Sequence, residues 1–356
     1  QQLQPLADFR GQSGDTSIRV SHDGGQVAFG FKPGGGVPAW WDLGQMTLTI
    51  DPQPSPGRDD MQGAIVRHDA LDVADWTNTD HPTLNGRELT LKPYEASRSL
   101  AISPDGASFV LGTEWSLRCF DADGMERWKQ SVPGAAWAVA ISGDGCRLVA
   151  GLRDGTLRWY DYDSGMELLA LFPHADRKTW VAWTPEGFFA SSSPEANRLF
   201  GYQLNNGHEQ APDFIGADQL YDIFYRPDLV LAKFEGRDQE IQNALAGIGD
   251  VRRVLPQRPP RIEVRGTINH RIAGTRLTLP LTLINQGGGI GEIVVHVNGV
   301  RQRTRGGTRK HVSEIRQDLD LDVFVEPATD NKVTVTASNG KGQANSESLV
   351  LEVTST

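Results

Sequence analysis

The chain has 356 residues, 38% of them apolar and 22% charged, with 39 glycines, 20 prolines and a net charge of −10. At about 100 to 200 residues per domain that is two or three domains with enough apolar surface for a core, which excludes a mostly disordered polymer. No run approaches the ~18 apolar residues of a membrane helix, Cys119 and Cys146 alone make no disulfide scaffold, and the acidic balance argues against a dedicated nucleic-acid binder.

One short theme recurs before residue 205. It reads Ser21-His22-Asp23-Gly24, Ser103-Pro104-Asp105-Gly106, Ser142-Gly143-Asp144-Gly145 and, more loosely, Thr184-Pro185-Glu186-Gly187. The glycines lie 82, 39 and 42 residues apart, so one repeat near the middle of the longest interval has lost its signature. Six residues on comes a small residue (Gly30, Gly112, Gly151, Ser193), and later an aromatic followed by a polar residue (Trp41-Asp42, Phe120-Asp121, Tyr160-Asp161, Tyr202-Gln203). Asp-Gly supplies the positive φ of a tight turn, and runs such as Ser108-Phe109-Val110-Leu111 and Arg147-Leu148-Val149-Ala150 supply strands. A period near 41 residues predicts four-stranded antiparallel blades of a β-propeller over residues 1–205, in preference to an irregular sandwich.

These residues resemble WD-repeat propellers. The stretches Ser99-Leu100-Ala101-Ile102-Ser103-Pro104-Asp105-Gly106, Trp180-Val181-Ala182-Trp183-Thr184-Pro185-Glu186-Gly187-Phe188-Phe189 and Tyr225-Arg226-Pro227-Asp228 are similar to the propeller region of bacterial multidomain proteins that join WD repeats to a caspase-like cysteine peptidase domain. The resemblance implies a propeller of usually seven blades; only about five periods are visible here. Together with an opening Gln1-Gln2-Leu3 that lacks methionine, this sets the expectation that the propeller is incomplete and finished by another segment or chain.

Residues 206–258 change character. Apolar residues at helical spacing in 218–225, 228–234 and 238–246 predict three short helices, the second with Pro227 in its first turn. Pro256-Gln257-Arg258-Pro259-Pro260 reads as a semi-rigid linker. Composition breaks in the same region: all nine tryptophans and all six tyrosines lie before residue 226. From Gln257 onward 13 Lys+Arg face 10 Asp+Glu, which leaves the acidity to the first part. Residues 259–356 then alternate with period two in six or seven runs, with Asn298-Gly299 as the strongest hairpin signal. That pattern predicts a disulfide-free immunoglobulin-like β-sandwich. Gly287-Gly288-Gly289-Ile290-Gly291 opens no helical pattern and reads as a strand connection, not a phosphate loop.

A catalytic reading needs a nucleophile, a base and an orienting group. The resemblance implies Asp-x-Cys-x-Gly and His-Gly motifs for a caspase-like centre, and neither occurs in the chain. Cys119 and Cys146 read as structural strand residues. The eight histidines form no local ligand pair, and no metal or cofactor is expected. One run suits an anion or acidic protein surface: Arg301, Arg303 and Arg305 alternate on a strand, followed by Arg309 and Lys310. The plainer reading, a solvated and charge-protected edge strand, is preferred, with the acidic first part as its intramolecular partner.

The expected function is therefore a non-catalytic interaction and regulatory module that docks protein partners or restrains a caspase-like peptidase, with no membrane. The alternative is a hydrolase or small-molecule site in the propeller channel, using loop carboxylates such as Asp75 and Asp80. The low cysteine content suits the cytoplasm, whereas a cleaved leader would make the chain periplasmic or secreted. If the arginine run binds an acidic partner, Arg303→Glu will weaken binding and flatten its salt dependence. Unchanged values in a salt titration would remove the anion reading.

Overall fold

A computed structural model describes residues 7–10, 18–52, 61–204, 213–249, 254–302 and 315–356. The chain is mostly β-sheet, in several antiparallel sheets, with a few short helices. It divides into two compact units, Gln1–Ala196 with Arg226–Ile241, and Asn197–Tyr225 with Gln242–Thr356. Among the described residues no helix is long and apolar enough to cross a membrane.

In the first unit the recurring sequence theme builds one recurring turn. The Ser21 hydroxyl donates to Asp23 at 2.6 Å, the Ser103 hydroxyl to Asp105 at 2.6 Å and the Ser142 hydroxyl to Asp144 at 2.5 Å. In each turn the same carboxylate oxygen accepts the N–H two residues on, at Gly25, Ala107 and Cys146. Each serine Oγ in turn accepts the N–H five residues ahead, at Gln26, Ser108 and Arg147. Gly24, Gly106 and Gly145 supply the left-handed φ of 76°, 67° and 72°. Short polar side chains that bond the nearby backbone compete well here because the turn leaves those N–H groups unpaired.

Each turn launches antiparallel strands. The first sheet holds Ile18–Val20, Gln26–Lys32, Gly36–Asp42 and Thr47–Ile50, plus Gln62–Gly63 on the other side of Ile18–Val20. Another is the four-stranded run Ser97–Ile102, Ser108–Thr113, Ser116–Asp121 and Glu126–Ser131. A third runs Ala136–Ile141, Arg147–Leu152, Leu157–Asp161 and Glu167–Pro173, and continues into Trp180–Trp183 and Phe189–Ser191. Small residues let these sheets meet closely: a Cβ at Gly112 would lie 2.8 Å from that of Ala136, and one at Gly151 would lie 2.7 Å from the Phe9 ring.

The repeat without a signature occupies the interval where spacing placed it. It is a small three-stranded sheet, Val73–Ala74, Thr83–Leu84 and Arg87–Glu88, introduced by Arg67-His68-Asp69-Ala70. There His68 takes the position of His22 but alanine replaces the turn glycine, and the Ala70 N–H bonds the His68 ring instead. Three shared cores join the sheets. Leu71, Leu84 and Leu89 pack with Leu100, Phe109 and Phe120. Ala101, Leu117 and Cys119 pack with Val139, Leu148 and Tyr160. Ile18, Phe29 and Trp41 pack with Val149, Trp159 and Leu169. The first sheet in sequence therefore packs on the Ala136–Pro173 strands, where the Trp159 indole donates to the Gly24 carbonyl at 2.8 Å.

The fourth turn departs from the pattern. Gly187 still bonds the Thr184 carbonyl, but Glu186 is one methylene too long to repeat the aspartate's contacts. It pairs at 2.7 Å with Lys233 of helix Pro227–Phe234, and the buried Thr184 hydroxyl has no hydrogen-bond partner among the described residues. The helices Tyr221–Phe224, Pro227–Phe234 and Asp238–Ile248 stand where helical spacing placed them, and Pro227 is in the first turn of its helix.

In the second unit one sheet orders Arg261–Val264, Arg276–Ile284 and Arg316–Phe324. The other orders Arg271–Ile272, Leu349–Ser355, Asp330–Ala337, Ile293–Val297 and Val300–Gln302. Leu277, Leu279, Leu281 and Leu283 from the first meet Val295, Val297, Val333 and Val335 from the second in one core. Asn298 and Gly299 both have positive φ, 53° and 84°, and close the Ile293–Gln302 hairpin. A strand, not a helix, follows the glycine run at 287–291.

Hydrogen bonding from the Ser103 hydroxyl, chiefly, holds the Asp105 carboxyl below its ordinary range. The turn therefore contributes stability above about pH 4 that is lost as pH falls. Asp105→Ala is expected to cost about 1 kcal/mol in urea unfolding at neutral pH, with the difference from wild type shrinking in acid.

Candidate functional site

Of the basic run, only Arg301 lies among the described residues; Arg303, Arg305, Arg309 and Lys310 lie outside them. Arg301 is exposed and pairs at 2.6 Å with Glu292 of its own unit. Asp75 and Asp80 are both exposed. Asp80 lies 3.4 Å from His81, which bonds Glu88 at 2.7 Å; that hydrogen bond chiefly raises the imidazole's pKa. Among the described residues no three His, Cys, Asp or Glu side chains group to hold a metal ion. Cys119 is buried, as expected, and burial pushes its thiol up to about 11. Cys146 corrects the expectation: it is exposed, because it is the residue after the Asp144-Gly145 turn and precedes the strand.

Two features that sequence reasoning missed carry more chemistry. The first is Glu95, whose side chain is 0% exposed, beside Arg118 at 7%. Arg118 donates to one Glu95 oxygen at 2.6 Å and to Glu126 at 2.7 Å. Thr113 donates to the other Glu95 oxygen at 2.7 Å, Ser116 bonds the same oxygen, and Lys129 lies 3.4 Å away. Burial by itself would raise this carboxyl; the hydrogen bonds from Arg118, Ser116, Thr113 and the Lys92 N–H outweigh it and take it from 4.5 down to about 2. The network fixes the turn between Thr113 and Ser116, and with it Trp115, which is 44% exposed. On the other side of Glu95 stands Tyr94, 89% exposed at a φ of 64°. Left-handed backbone at a residue with a Cβ costs roughly 1–2 kcal/mol, which glycine in that place would avoid.

The second is a cleft of ≈ 310 Å³ in the second unit. Ile262 lines it from the edge of one sheet and Ser348 and Leu349 from the other, with Phe214, 67% exposed, overhanging. Two guanidinium groups, Arg258 and Arg261, and one carboxylate, Glu347, stand at its walls. Arg261 also pairs with Glu263 at 2.6 Å.

No family model and no curated protein matches the chain. Among solved structures it is similar to a chain of the crystal structure of the mitotic checkpoint complex, with a TM-score of 0.27 and 15% identity over 49% of this chain and 61% of that one. It is also similar to the computationally designed Ika4 protein, with a TM-score of 0.22 and 19% identity over 27% of this chain and 69% of that one. The chain thus spans about three fifths of the checkpoint chain that it matches.

Removing one partner of a buried ion pair leaves the other charge uncompensated. Glu95→Gln is therefore expected to destabilise the chain by about 3 kcal/mol at neutral pH, measured by chemical unfolding. Because the folded carboxyl titrates below the unfolded one, wild type holds this stability above pH 4.5 and loses it as pH falls toward about 2, whereas the variant shows a flatter acid limb.

Proposed function

We propose that the chain is a non-catalytic protein-interaction and regulatory module, a WD-repeat-type propeller portion joined to an immunoglobulin-like sandwich, which docks protein partners and restrains a caspase-like cysteine peptidase domain or chain. The observation that carries the docking role is the pair Tyr94 and Trp115. Two large aromatics are held in solvent beside a buried charge network, one of them at a strained backbone position. Tyrosine and tryptophan are the side chains that most often anchor protein interfaces, since each buries much apolar area at little entropic cost. Strain kept at an exposed aromatic is more economically explained by a contact than by packing.

The propeller reading is supported by the Ser-x-Asp-Gly turn repeated at the head of three antiparallel sheets and by the glycines at their close approaches. The immunoglobulin-like reading is supported by two sheets around one core, with the leading strand divided between them: Arg261–Val264 pairs with one sheet and Arg271–Ile272 runs parallel to a strand of the other. The link to a peptidase rests on the sequence resemblance.

The test combines activity with restraint. Peptidase and general hydrolase assays on this chain alone are expected to give no turnover, and adding the chain to a caspase-like peptidase, supplied as a domain or as a separate chain, is expected to lower that enzyme's kcat/KM. The double variant Tyr94→Ala, Trp115→Ala is expected to relieve that inhibition at least tenfold, about 1.4 kcal/mol, with unchanged Tm. Turnover by the isolated chain, or inhibition indifferent to both aromatics, would reject the proposal.

A further inference from the structure

We infer that loop 338–346, backed by the glycine run at 287–291, is a clamp that fastens connector segments 217–225 and 254–258 to the sandwich, a conformational device whose release turns both from a docked strap into a tether. The need for it is set by the connector's backbone. Proline has no N–H, so Pro256, Pro259 and Pro260 leave the carbonyls around them to find donors elsewhere. The last carbonyls of a helix lack intrahelical partners as well. The sandwich supplies the donors. The Asn339 side-chain amide donates to the Gln257 carbonyl at 2.9 Å, and the Gly288 N–H donates to the Arg258 carbonyl at 3.1 Å. The Gln343 side-chain amide donates to the Ile248 carbonyl at 3.3 Å, at the end of helix Asp238–Ile248. Asn345 holds the other segment twice: its N–H donates to the Gln219 carbonyl at 2.7 Å and its side-chain amide to the Asp222 carboxylate at 2.8 Å.

Asn339, Gln343 and Asn345 act together because the loop that carries them is braced. Its ends pair at Ser338 and Asn345. The Asn339 N–H donates to the Ala344 carbonyl at 2.8 Å, and the Gln343 N–H to the Asn339 side-chain oxygen at 2.8 Å. Asn339 is fully buried, so its amide has a fixed place. The glycine run joins this loop to the linker: the Gly291 N–H donates to the Ser338 carbonyl at 2.7 Å and the Gly340 N–H to the Gly288 carbonyl at 2.9 Å. A Cβ at Gly288 would collide with the Arg258 carbonyl and one at Gly291 with the Asn339 carbonyl, so glycine is what lets the run lie between linker and loop. Val254, Leu255, Pro259 and Pro260 are buried, and the segment therefore lies docked. On the connector the acceptors are backbone carbonyls apart from Asp222, which leaves the loop and the glycine run to carry the specificity of the clamp. It belongs to the second unit and stands apart from the interaction-module reading.

Native-state hydrogen exchange on the full chain tests the clamp. In the unaltered chain the Gln257 and Tyr225 amides, which donate to the Val254 and Tyr221 carbonyls, are expected to open together with one denaturant dependence, ahead of strands Arg276–Ile284 and Asp330–Ala337. Asn339→Asp keeps the shape of the side chain and removes the donor to Gln257. It is expected to speed exchange at both amides at least about tenfold and to leave the strand amides unchanged, although Asn339 bonds the Gln257 end. Gly288→Ala, which drives a methyl group into the Arg258 carbonyl, is expected to do the same. Faster exchange at Gln257 alone would make that bond a local one and overturn the clamp, as would unchanged exchange in both variants. Independent opening of the two amides in the unaltered chain, or their opening only with the strands, also overturns it, and this reading stands even where a substitution unfolds the sandwich.

Discussion

A single carboxylate, bonded at once to a serine hydroxyl two residues back and a backbone N–H two residues ahead, shapes the first unit. Asp23, Asp105 and Asp144 each close such a turn, and each closure fixes where the next strand begins. Strand starts fix register, and a one-residue slip would turn every core side chain to the wrong face. Phe109, Leu111 and Leu100 on one face of a sheet, and Val110, Cys119 and Ala101 on the other, can enter two different cores only because that register holds.

Charge serves a different purpose in the two units. In the first, Glu95 and Arg118 are out of water and nearly every lone pair of the carboxylate is taken, so the network specifies one geometry and makes departures from it expensive. In the second, Arg265, Arg276 and Arg316 meet Asp320, Asp322 and Asp318 in solvent, where such pairs add little stability and chiefly decide what else can approach the sheet. The same residue types thus position neighbouring loops in one place and discourage association in the other.

Local rules were legible in the sequence and non-local ones were not. Turn glycines, period-two strands and Pro227 at a helix start obey constraints that act within a few residues, and each stands where those constraints place it. The degenerate repeat was placed by spacing alone, because alanine stands where the turn glycine of Arg67-His68-Asp69-Ala70 would be and removes the local signal. Glu95 could not be found by pattern, since its partners Thr113, Arg118 and Lys129 come from three strands and its burial follows from their meeting. Cys146 was misplaced because the residue after an Asp-Gly turn looks, by sequence, like the first residue of the strand.

The packing of the first sheet against the strands from Ala136 to Pro173 bears on how the chain is made. The Trp159 indole and the Gly24 carbonyl that it bonds are 135 residues apart. At translation rates of about 5–20 residues per second, the Ile18–Ile50 sheet emerges on the order of ten seconds before its covering surface exists. Ile18, Phe29 and Trp41 are then exposed on a nascent chain. The Ile18–Ile50 sheet thus waits for strands made well after it, which makes those strands a segment in need of a chaperone during synthesis.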